Sequence, residues 1–486
     1  MIVGAVLLLG LLVWTSPGQQ GTGVIFDRAA EDLEKEPVTA LVGGAVLDGI
    51  THVPIEDSVI LISGSRIKAI GRSDRIKIPP GATVIDVRGK FVLPGLIDAH
   101  NHLEGLGLDE GDGEFTDTPE KLRQVILTNA QLDLLSGVTT LRECGSSEAV
   151  LRLRDQIEAV GPRLFAAGPQ FVKRDPTQPP SPLFIEYDGV KDARKKVKEQ
   201  IAKGIDLVKL RITRQRPMPT LEEVSALVEE AHRAGLKVAV HTDVPHEDAV
   251  RLAIAAGVDT IEHSAPLRVY DDRLLIEMAR RGIISVPTLY QIQAQRIDPL
   301  EKKDEELIEP PLSHRLAPDL LQALTRRAAL WRRNLSDWRA RGYDPRALLR
   351  ERFLAVARAR SLGVRIALGP DTGSDLVPHG RFYKEIALYV TVGGLSPIEA
   401  LQMATRIAAE TIGKEKELGT IEPGKLADLI VIEGDPLMDI ENLRNVVMVI
   451  KGGKIIEVPR IEGRITERRK LGKDARDSLP LTAGGW

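Results

Sequence analysis

The strongest constraint on the fold of this chain is the alternation of apolar runs with amphipathic stretches between residues 91 and 413. Eight apolar runs predict β-strands, at residues 92–97, 138–142, 163–167, 205–210, 236–240, 258–261, 283–286 and 364–368. Amphipathic stretches between them predict helices, for example at 119–135, 192–203, 221–234 and 246–256. Because continuously apolar strands are typical of a parallel sheet covered on both faces, the pattern predicts an α/β fold. Eight strand–helix units favour a (β/α)8 TIM barrel. A doubly wound open sheet is the alternative, although no G-x-G-x-x-G sequence follows the first strand.

Two β-rich blocks flank this region. Predicted strands at 40–47, 58–62 and 66–70 precede it, and predicted strands at 428–432, 446–450 and 455–456 follow it. Glycine and proline pairs punctuate both blocks, as expected for small antiparallel sheets. We therefore expect one small β domain built from residues 37–90 and 418–460, a barrel over 91–417, and a C-terminal tail at 461–486.

One interval of the predicted barrel is unusually long. An arginine-rich stretch at about residues 290–361 is predicted to form a helical insertion after the seventh predicted strand. Loops that follow barrel strands lie on the catalytic face, so we expect this insertion to lie there and to act as a lid.

The N-terminal residues carry an uncharged apolar run at 2–14, which Ser16-Pro17-Gly18 ends. The run is shorter than the roughly 20 residues of a membrane-spanning helix and fits the apolar core of a signal peptide. We expect residues 1–18 to be a signal peptide of a secreted or periplasmic protein, and residues 19–36 to be a linker. An uncleaved membrane anchor stays open, because no Lys or Arg precedes the run and no A-x-A site follows it.

Composition limits the chemistry. Cys144 is the single cysteine, so the chain has no intramolecular disulfide and no thiolate metal cage. The 66 Lys and Arg residues nearly balance the 69 Asp and Glu residues, for a formal net charge of −3. That balance gives no reason to expect a nucleic-acid partner. A metal site in this chain would have to use histidine, carboxylate or a less usual ligand.

Polar side chains recur at the C-terminal ends of the predicted strands, where barrel active sites are built. His100 and His102 end the first strand, and alternate residues of a strand point the same way, so both can reach one metal ion. Four further side chains lie at or near the ends of other strands: Lys209, His241, His263 and Asp371. Such a cluster of potential ligands on separate strands predicts a shared metal site.

These residues resemble a known family. The ordered segments PGLIDAHNH, IDLVKL, VAVHT, TIEHS and ALGPDTG, with GTIEPGKLADLIVIEGDPL near the C-terminus, are similar to the amidohydrolase superfamily. The chain looks most like the imidazolonepropionase-related branch that includes Xaa-Pro dipeptidases and carries a carboxylated lysine. The resemblance implies a distorted (β/α)8 barrel with a small β-sandwich. It also implies a small-molecule amide or peptide substrate and a homo-oligomer of unspecified size.

The resemblance implies a binuclear site with two divalent ions. His100, His102 and Asp371 would bind the first ion, and His241 and His263 the second. Lys209, buried among apolar neighbours where an ammonium is costly, would carry a CO2-derived carbamate between them. Zinc suits these ligands, and manganese, cobalt and iron stay open. A metal-bridging hydroxide would attack the carbonyl of an amide, with Asp371 as catalytic base and acid. The expected substrate is a dipeptide or an N-acyl amino acid.

Three other functions stay open. A lactonase or phosphotriesterase uses a similar two-metal site. A mononuclear deaminase typically carries a glutamate shortly after the fifth-strand histidine, whereas His241 is followed by Thr-Asp-Val-Pro. A non-catalytic scaffold of the same fold is disfavoured, because suitable residues occupy all six ligand positions.

Substrate contacts are harder to predict. The glycine-rich stretch common after the lysine in prolidase-like members is replaced here by Leu-Arg-Ile-Thr-Arg-Gln-Arg, which puts proline specificity in doubt. Arginines such as Arg211 can clamp a carboxylate. Our candidates for substrate contacts are Arg142, Arg211, Tyr290 and His379, with surface or core positions as the alternative for each.

Overall fold

The computed structural model describes residues 37–108, 116–242, 247–263, 271–308 and 316–459. The predicted signal peptide at 1–18, the linker at 19–36 and the tail at 461–486 lie outside the described residues. None of the helices within the described ranges combines the length and the apolar character that crossing a bilayer requires.

The described chain begins with six short strands: β1 (Val38–Val42), β2 (Ala45–Val46), β3 (Ser58–Ser63), β4 (Arg66–Arg72), β5 (Thr83–Asp86) and β6 (Lys90–Pro94). Four of them form a sheet in the order β4-β3-β1-β5, in which β1 runs antiparallel to β3 and parallel to β5. This sheet lies outside the α/β region and forms part of a smaller β unit.

Nine strands then build the α/β region: β7 (Leu96–Asn101), β8 (Val138–Glu143), β9 (Arg163–Ala166), β10 (Gln170–Lys173), β11 (Phe184–Tyr187), β12 (Leu207–Ile212), β13 (Lys237–Thr242), β14 (Thr260–Glu262) and β15 (Ile284–Val286). All their pairings are parallel, in a three-stranded sheet β7-β8-β9 and a six-stranded sheet β11-β10-β12-β13-β14-β15. Most residues of these strands are buried, because helices cover the outer face of the sheets.

Backbone hydrogen bonds connect the two parallel sheets. On one side, Asp206 N donates to Ala166 O over 2.9 Å. On the other, residues 364–372 pass between β15 and β7: Ala367 N donates to Ser285 O, and Ala99 N donates to Leu368 O. The run at 364–368, predicted as a strand, forms only an isolated bridge between Ile366 and Ser285. The apolar run indicates that this segment is buried. Whether the segment forms a regular strand depends on its hydrogen bonds with the neighbouring strands, which the run does not report.

The helices that surround these strands are α1 (Pro119–Leu135), α2 (Glu148–Arg152), α3 (Arg154–Val160), α4 (Val190–Ala202), α5 (Leu221–Arg233), α6 (Glu247–Ala256) and α7 (Asp272–Arg281). Helix α5 shows why such segments are helical. Thr220 and Glu223 form a capping box at its start, and its apolar face is buried.

The predicted insertion is helical. It contains α8 (Leu289–Ile292), a π-helical turn at Gln293–Ile297, α9 (Asp298–Glu301), α10 (Asp304–Leu307), α11 (Pro318–Ala340) and α12 (Pro345–Ser361). Residues 309–315 within it lie outside the described part of the chain. Helices α13 (Phe382–Thr391), α14 (Pro397–Met403) and α15 (Arg406–Glu410) follow.

The last strands, β16 (Leu429–Glu433), β17 (Val446–Lys451) and β18 (Lys454–Glu457), return to the smaller β unit. They form a sheet with strands from the start of the chain, in the order β18-β17-β16-β6-β2. Leu41 and Ile60 of the first sheet share one buried cluster with Val92, Leu429 and Val431 of this sheet. Both ends of the described chain therefore contribute strands to one β unit.

The predicted strand 92–97 is wrong as a single strand. Its first half belongs to β6, which pairs with β16, and its second half belongs to β7, which pairs with β8. The change of sheet occurs at Gly95, whose N–H donates to Asp428 O over 2.8 Å. A Cβ at Gly95 would lie 2.1 Å from Thr139 Oγ1, so the close passage there requires glycine. Because the apolar run continues across Gly95, the sequence pattern does not reveal that the chain moves from one sheet to another there.

Candidate metal centre and active-site cavity

A cavity of about 920 Å³ lies at the C-terminal ends of the parallel strands. Seven residues predicted for the site line it: His100, His102, Lys209, Arg211, His241, His263 and Asp371. They come from β7 and the residue that follows it, from β12 and β13, from the residue that follows β14, and from the segment after Leu368. The structure thus brings all six predicted metal ligands to one cavity.

The donor atoms of these side chains lie close together. Asp371 Oδ1 lies 3.1 Å from His102 Nε2 and 3.5 Å from His100 Nε2. The Nζ atom of Lys209 lies 3.4 Å from His100 Nε2. His263 Nε2 lies 2.6 Å from His241 Nδ1, and the rings of His100 and His263 have centroids 5.0 Å apart. The donor atoms therefore form two groups, one of His100, His102, Lys209 and Asp371 and one of His241 and His263. The groups are adjacent because the rings of His100 and His263 lie close together.

Three of the histidines are oriented by contacts at Nδ1. His100 Nδ1 lies 2.7 Å from Glu262 Oε2, and His102 Nδ1 lies 2.8 Å from Gly145 O. His263 Nδ1 lies 3.0 Å from Thr288 Oγ1. Each contact leaves Nε2 to face the cavity, which is how proteins commonly fix histidine ligands.

The donor set fits a divalent metal. The ligand atoms of His100, His102 and Asp371 all lie within 4.8 Å of one another. Imidazole nitrogen and carboxylate oxygen suit zinc and the other divalent first-row metals. Among the described residues, Lys209 is 1% exposed and forms no ion pair with a carboxylate.

The pKa shifts of His100, His263 and Asp371 favour the forms that bind metal. The pKa of His102 moves the other way: burial alone would lower it, but the hydrogen bond with Asp371 raises it above its usual value. Burial lowers the pKa of His100 to about 4, and the charge of Lys209 acts in the same direction. Burial and the neighbouring His241 lower the pKa of His263 well below its usual value. Burial alone would raise the pKa of Asp371, but the hydrogen bond with His102 and the nearby imidazoles hold it well below its usual range. Neutral imidazoles and an ionised carboxylate are the forms that bind metal.

Backbone strain is concentrated at the same place. His263, Thr288 and Asp371 have φ angles of 64°, 53° and 65°, in the left-handed region that L-residues with a side chain rarely adopt. Such conformations cost free energy and recur at functional sites, where surrounding packing enforces them. Here the strained residues are two proposed ligands, His263 and Asp371, and Thr288, which contacts His263.

Arg142, predicted as a substrate contact, does not line the cavity. Its side chain is fully buried, pairs with Glu262, and donates to Thr260 Oγ1 over 3.2 Å. The pairing has a physical reason, since a guanidinium on an inward-facing strand position requires a buried carboxylate nearby. Arg142 therefore contacts Glu262, which in turn contacts His100.

Tyr290 and His379 are also not among the residues that line the cavity. Tyr290 is 2% exposed and packs in the apolar core. His379 is 1% exposed, with Nδ1 2.7 Å from Asp133 Oδ2 and Nε2 3.1 Å from Gly105 O. It supports the loop after β7. Of the four predicted substrate contacts, only Arg211 lines the cavity.

Three residues of the site were missed by sequence reasoning. Glu262 and Thr288 contact ligand histidines, and Gln291 Nε2 donates to Asp371 Oδ2 over 2.7 Å. Glu262 carried a usable signal, because it is a carboxylate inside an apolar strand and directly precedes His263. Gln291 carried none, since it lies on the insertion.

The insertion forms one wall of the cavity through residues of the π-helical segment and helix α12, including Gln295, Arg296 and Arg352. It is tied to the loop after Asp371. Arg327 Nε donates to Asp375 Oδ1 over 2.8 Å, and Trp331 Nε1 donates to Asp375 Oδ2 over 2.7 Å. The insertion therefore lies on the face of the parallel strands where the cavity opens, at their C-terminal ends.

Comparison with known families agrees with this geometry. The amidohydrolase family profile matches residues 91–456, which include every residue of the site. The chain belongs to the amidohydrolase family. Members of this family generally use divalent metals, in agreement with the donor set described above.

Individual relatives support the same assignment. Ochratoxinase of Aspergillus niger is 26% identical over 471 residues, covering 88% of this chain and 88% of the relative. Imidazolonepropionase of Geobacillus thermodenitrificans is 26% identical over 450 residues, covering 83% and 90%. The crystal structure of a Xaa-Pro dipeptidase with bound methionine is 28% identical, with a TM-score of 0.68 over 86% of this chain and 100% of that chain. The amidohydrolase is therefore an enzyme that hydrolyses carbon–nitrogen bonds.

Proposed function

We propose that this amidohydrolase is a metal-dependent enzyme that cleaves an amide bond in a dipeptide or an N-acyl amino acid. The observation that carries the proposal is the convergence of four imidazoles, one carboxylate and one buried lysine on a single cavity. The name of the Xaa-Pro dipeptidase neighbour supports the substrate class.

Two divalent cations, with zinc as the first choice, are part of the proposal. His100, His102 and Asp371 would hold one, and His241 and His263 the other. Lys209, carboxylated by CO2, would be shared by both. The nearness of Lys209 Nζ to His100 Nε2, and its lack of a carboxylate partner among the described residues, support this role. Bound cations would make water acidic near neutral pH and polarise the substrate carbonyl.

Asp371 is the proposed proton carrier. It lies among the ligand atoms, and its carboxylate is ionised. In that form it can accept a proton from the attacking water and pass it to the leaving nitrogen. Gln291 orients the carboxylate by donating to Oδ2, while Oδ1 faces His100 and His102.

The proposal extends to the scaffold. We propose that β7, β8, β9, β12, β13, β14, β15 and residues 364–372 form a distorted (β/α)8 barrel. The backbone bonds of Ala367 and Ala99 on one side, and of Asp206 on the other, support it. The strands of the smaller β unit would then be the predicted β-sandwich.

Metal analysis and turnover together test the function. Purified protein is expected to hold two divalent ions per chain and to hydrolyse members of a panel of dipeptides and N-acyl amino acids. Replacing His241→Gln should remove at least one ion and reduce hydrolysis at least about 100-fold. The control His52→Gln changes an exposed histidine and should alter neither quantity.

The panel also contains lactones and a phosphotriester, because a lactonase or phosphotriesterase would use a similar site. Hydrolysis restricted to those compounds would overturn the amide assignment. Fewer than one bound ion per chain after gentle purification would overturn the metal site.

A further inference from the structure

Arg211 occupies a distinctive position relative to the proposed catalytic centre. It lies two residues after Lys209 on β12, and alternate residues of a strand face the same side. Their Cα atoms are about 6.6 Å apart along the strand. Lys209 is buried, whereas Arg211 is half-buried and lines the cavity nearer its mouth. The guanidinium therefore lies beside the route by which a substrate reaches the centre.

The guanidinium of Arg211 has no carboxylate partner within the described ranges. The guanidinium lies over the ring of Phe184, whose centroid is 5.9 Å from Cζ. Arg216 packs on the same ring at 5.3 Å, but it pairs with Glu186 over 2.6 Å. The ring of Phe184 thus contacts two guanidinium groups. Arg216 is paired with Glu186, whereas Arg211 has no carboxylate partner among the described residues.

Within the described ranges, the acidic side chains that line the cavity are Glu104, Asp371 and Asp375, and each has other partners. Asp375 accepts from Arg327 and Trp331. Glu104 accepts from the backbone N–H of Ser147 over 3.0 Å. Asp371 faces His102 and Gln291. A guanidinium beside fully engaged carboxylates is suited to an anion supplied by the ligand.

An apolar wall completes the cavity. Leu106, Leu108, Leu122, Ile292 and Leu348 line it. Arginine forms parallel hydrogen bonds with planar carboxylates, and apolar side chains accept hydrocarbon groups without polar requirements. The cavity therefore offers one carboxylate contact and one hydrocarbon surface close to the proposed metal ligands.

We infer that Arg211 binds a free carboxylate of the substrate and thereby selects acidic amides, such as N-acyl amino acids with apolar side chains, over neutral amides. In an N-acyl amino acid, two atoms separate the scissile carbonyl carbon from the carboxylate carbon. That short separation suits two side chains that neighbour each other on one strand face. This inference rests on the proposed amide hydrolysis and adds the feature that selects the substrate.

A matched pair of amides tests the inference on the metal-loaded full-length enzyme. N-acetyl-L-leucine and N-isopentylacetamide share the acetamide bond and the hydrocarbon chain, and only the first carries a carboxylate. Arg211→Gln is expected to lower kcat/KM for N-acetyl-L-leucine about 10- to 100-fold through a higher KM, and to leave the neutral amide within about twofold. Arg211→Lys should restore part of the loss, because it keeps the charge without the planar fork.

Arg216→Gln is the control variant. It removes a guanidinium from the same Phe184 ring, but one that is already paired with Glu186, and it should leave the preference for the acid unchanged. Equal losses on both amides in Arg211→Gln, or an equal effect of Arg216→Gln, would overturn the inference.

Calorimetric binding of N-acetyl-L-leucine separates failure of the inference from failure of the proposed function. If no amide of the panel is hydrolysed but binding weakens at least about 10-fold in Arg211→Gln, the hydrolytic function fails and the carboxylate site stands. If amides are hydrolysed but binding and kcat/KM are insensitive to Arg211, the carboxylate site fails and the hydrolytic function stands.

Discussion

At the scale of single residues, the site depends on two side chains and one backbone carbonyl that hold the histidine ligands in place. Glu262, Gly145 and Thr288 contact the Nδ1 atoms of His100, His102 and His263. Because a histidine ligand can bind through either nitrogen, these contacts determine which nitrogen faces the cavity. Glu262 is itself paired with Arg142. Arg142, which we expected to contact the substrate, therefore supports the ligand His100 through Glu262.

The hydroxyl of Thr288 gives a test at this scale. Thr288→Val keeps the shape of the side chain and removes the oxygen next to His263 Nδ1. We expect metal affinity to fall about 10-fold, as measured by competition with a chelator, because the imidazole loses its orienting contact.

Thr140→Val is the matched control. Thr140 is also buried, and its hydroxyl forms no hydrogen bond with the described residues. Its replacement should leave metal affinity unchanged. An unchanged affinity in Thr288→Val would show that the hydroxyl does not orient His263.

At the scale of elements, the insertion is coupled to the loop after Asp371 by Asp375, which accepts hydrogen bonds from Arg327 and Trp331 of α11. Loss of these charge-assisted bonds in Asp375→Asn is expected to destabilise the packing of α11 by about 1–2 kcal/mol. Hydrogen exchange should accelerate in residues 318–340 and stay unchanged in the parallel strands.

The more exposed pair between Arg346 and Glu301 provides a comparison. Arg346→Gln should change exchange in the insertion little, because exposed ion pairs contribute little stability. Equal exchange in wild type and Asp375→Asn would contradict the coupling.

A second link between elements lies at the opposite end of the strands. Asp259, just before β14, accepts from His232 of α5 over 2.7 Å, and from Lys237 Nζ and Val238 N of β13 over 2.8 Å each. Burial alone would raise the pKa of Asp259, but these partners lower it below the usual 3.8. A carboxyl with a lowered pKa in the folded state contributes stability above pH 3.8, and loses it as the pH falls through the folded value.

Asp259→Asn is therefore expected to lower the free energy of unfolding at pH 7 by roughly 1–3 kcal/mol. The difference from wild type should shrink as the pH falls below about 4. Urea unfolding at several pH values measures both effects. Asp155→Asn, at an exposed position, should show neither, and a difference that grows at low pH would refute the assignment.

At the scale of the whole molecule, the chain crosses between its β unit and its parallel strands at Gly95, and residues 364–372 pass close to β7. The second passage requires Gly369. A Cβ there would lie 2.4 Å from His100 N and 2.9 Å from the carbonyl carbon of Ala99, both backbone atoms. Gly369 thus sets the distance between the segment that carries Asp371 and the strand that carries two histidines.

Gly369→Ala is expected to destabilise the protein by about 1–3 kcal/mol, because the backbone has to shift to admit the methyl group. Thermal unfolding measures the loss. Gly71→Ala is the control, since the nearest atom there is a side-chain carbon of Ile76 at 3.2 Å. Equal melting temperatures for wild type and Gly369→Ala would contradict this account.

The amino-acid sequence alone determined the fold class, the family and the candidate ligands. Those features are local, since apolar runs mark buried strands and the ligands lie at or near their C-terminal ends, where parallel order places them at one edge. The tertiary structure decided the exchange of sheets at Gly95, the pairing of Arg142 with Glu262, and the contact of Gln291 with Asp371. The last two join residues 120 and 80 positions apart, respectively. Hydrophobic periodicity reports only whether a side chain is buried. Which polar group contacts a buried polar side chain depends on how segments distant in the sequence pack against each other.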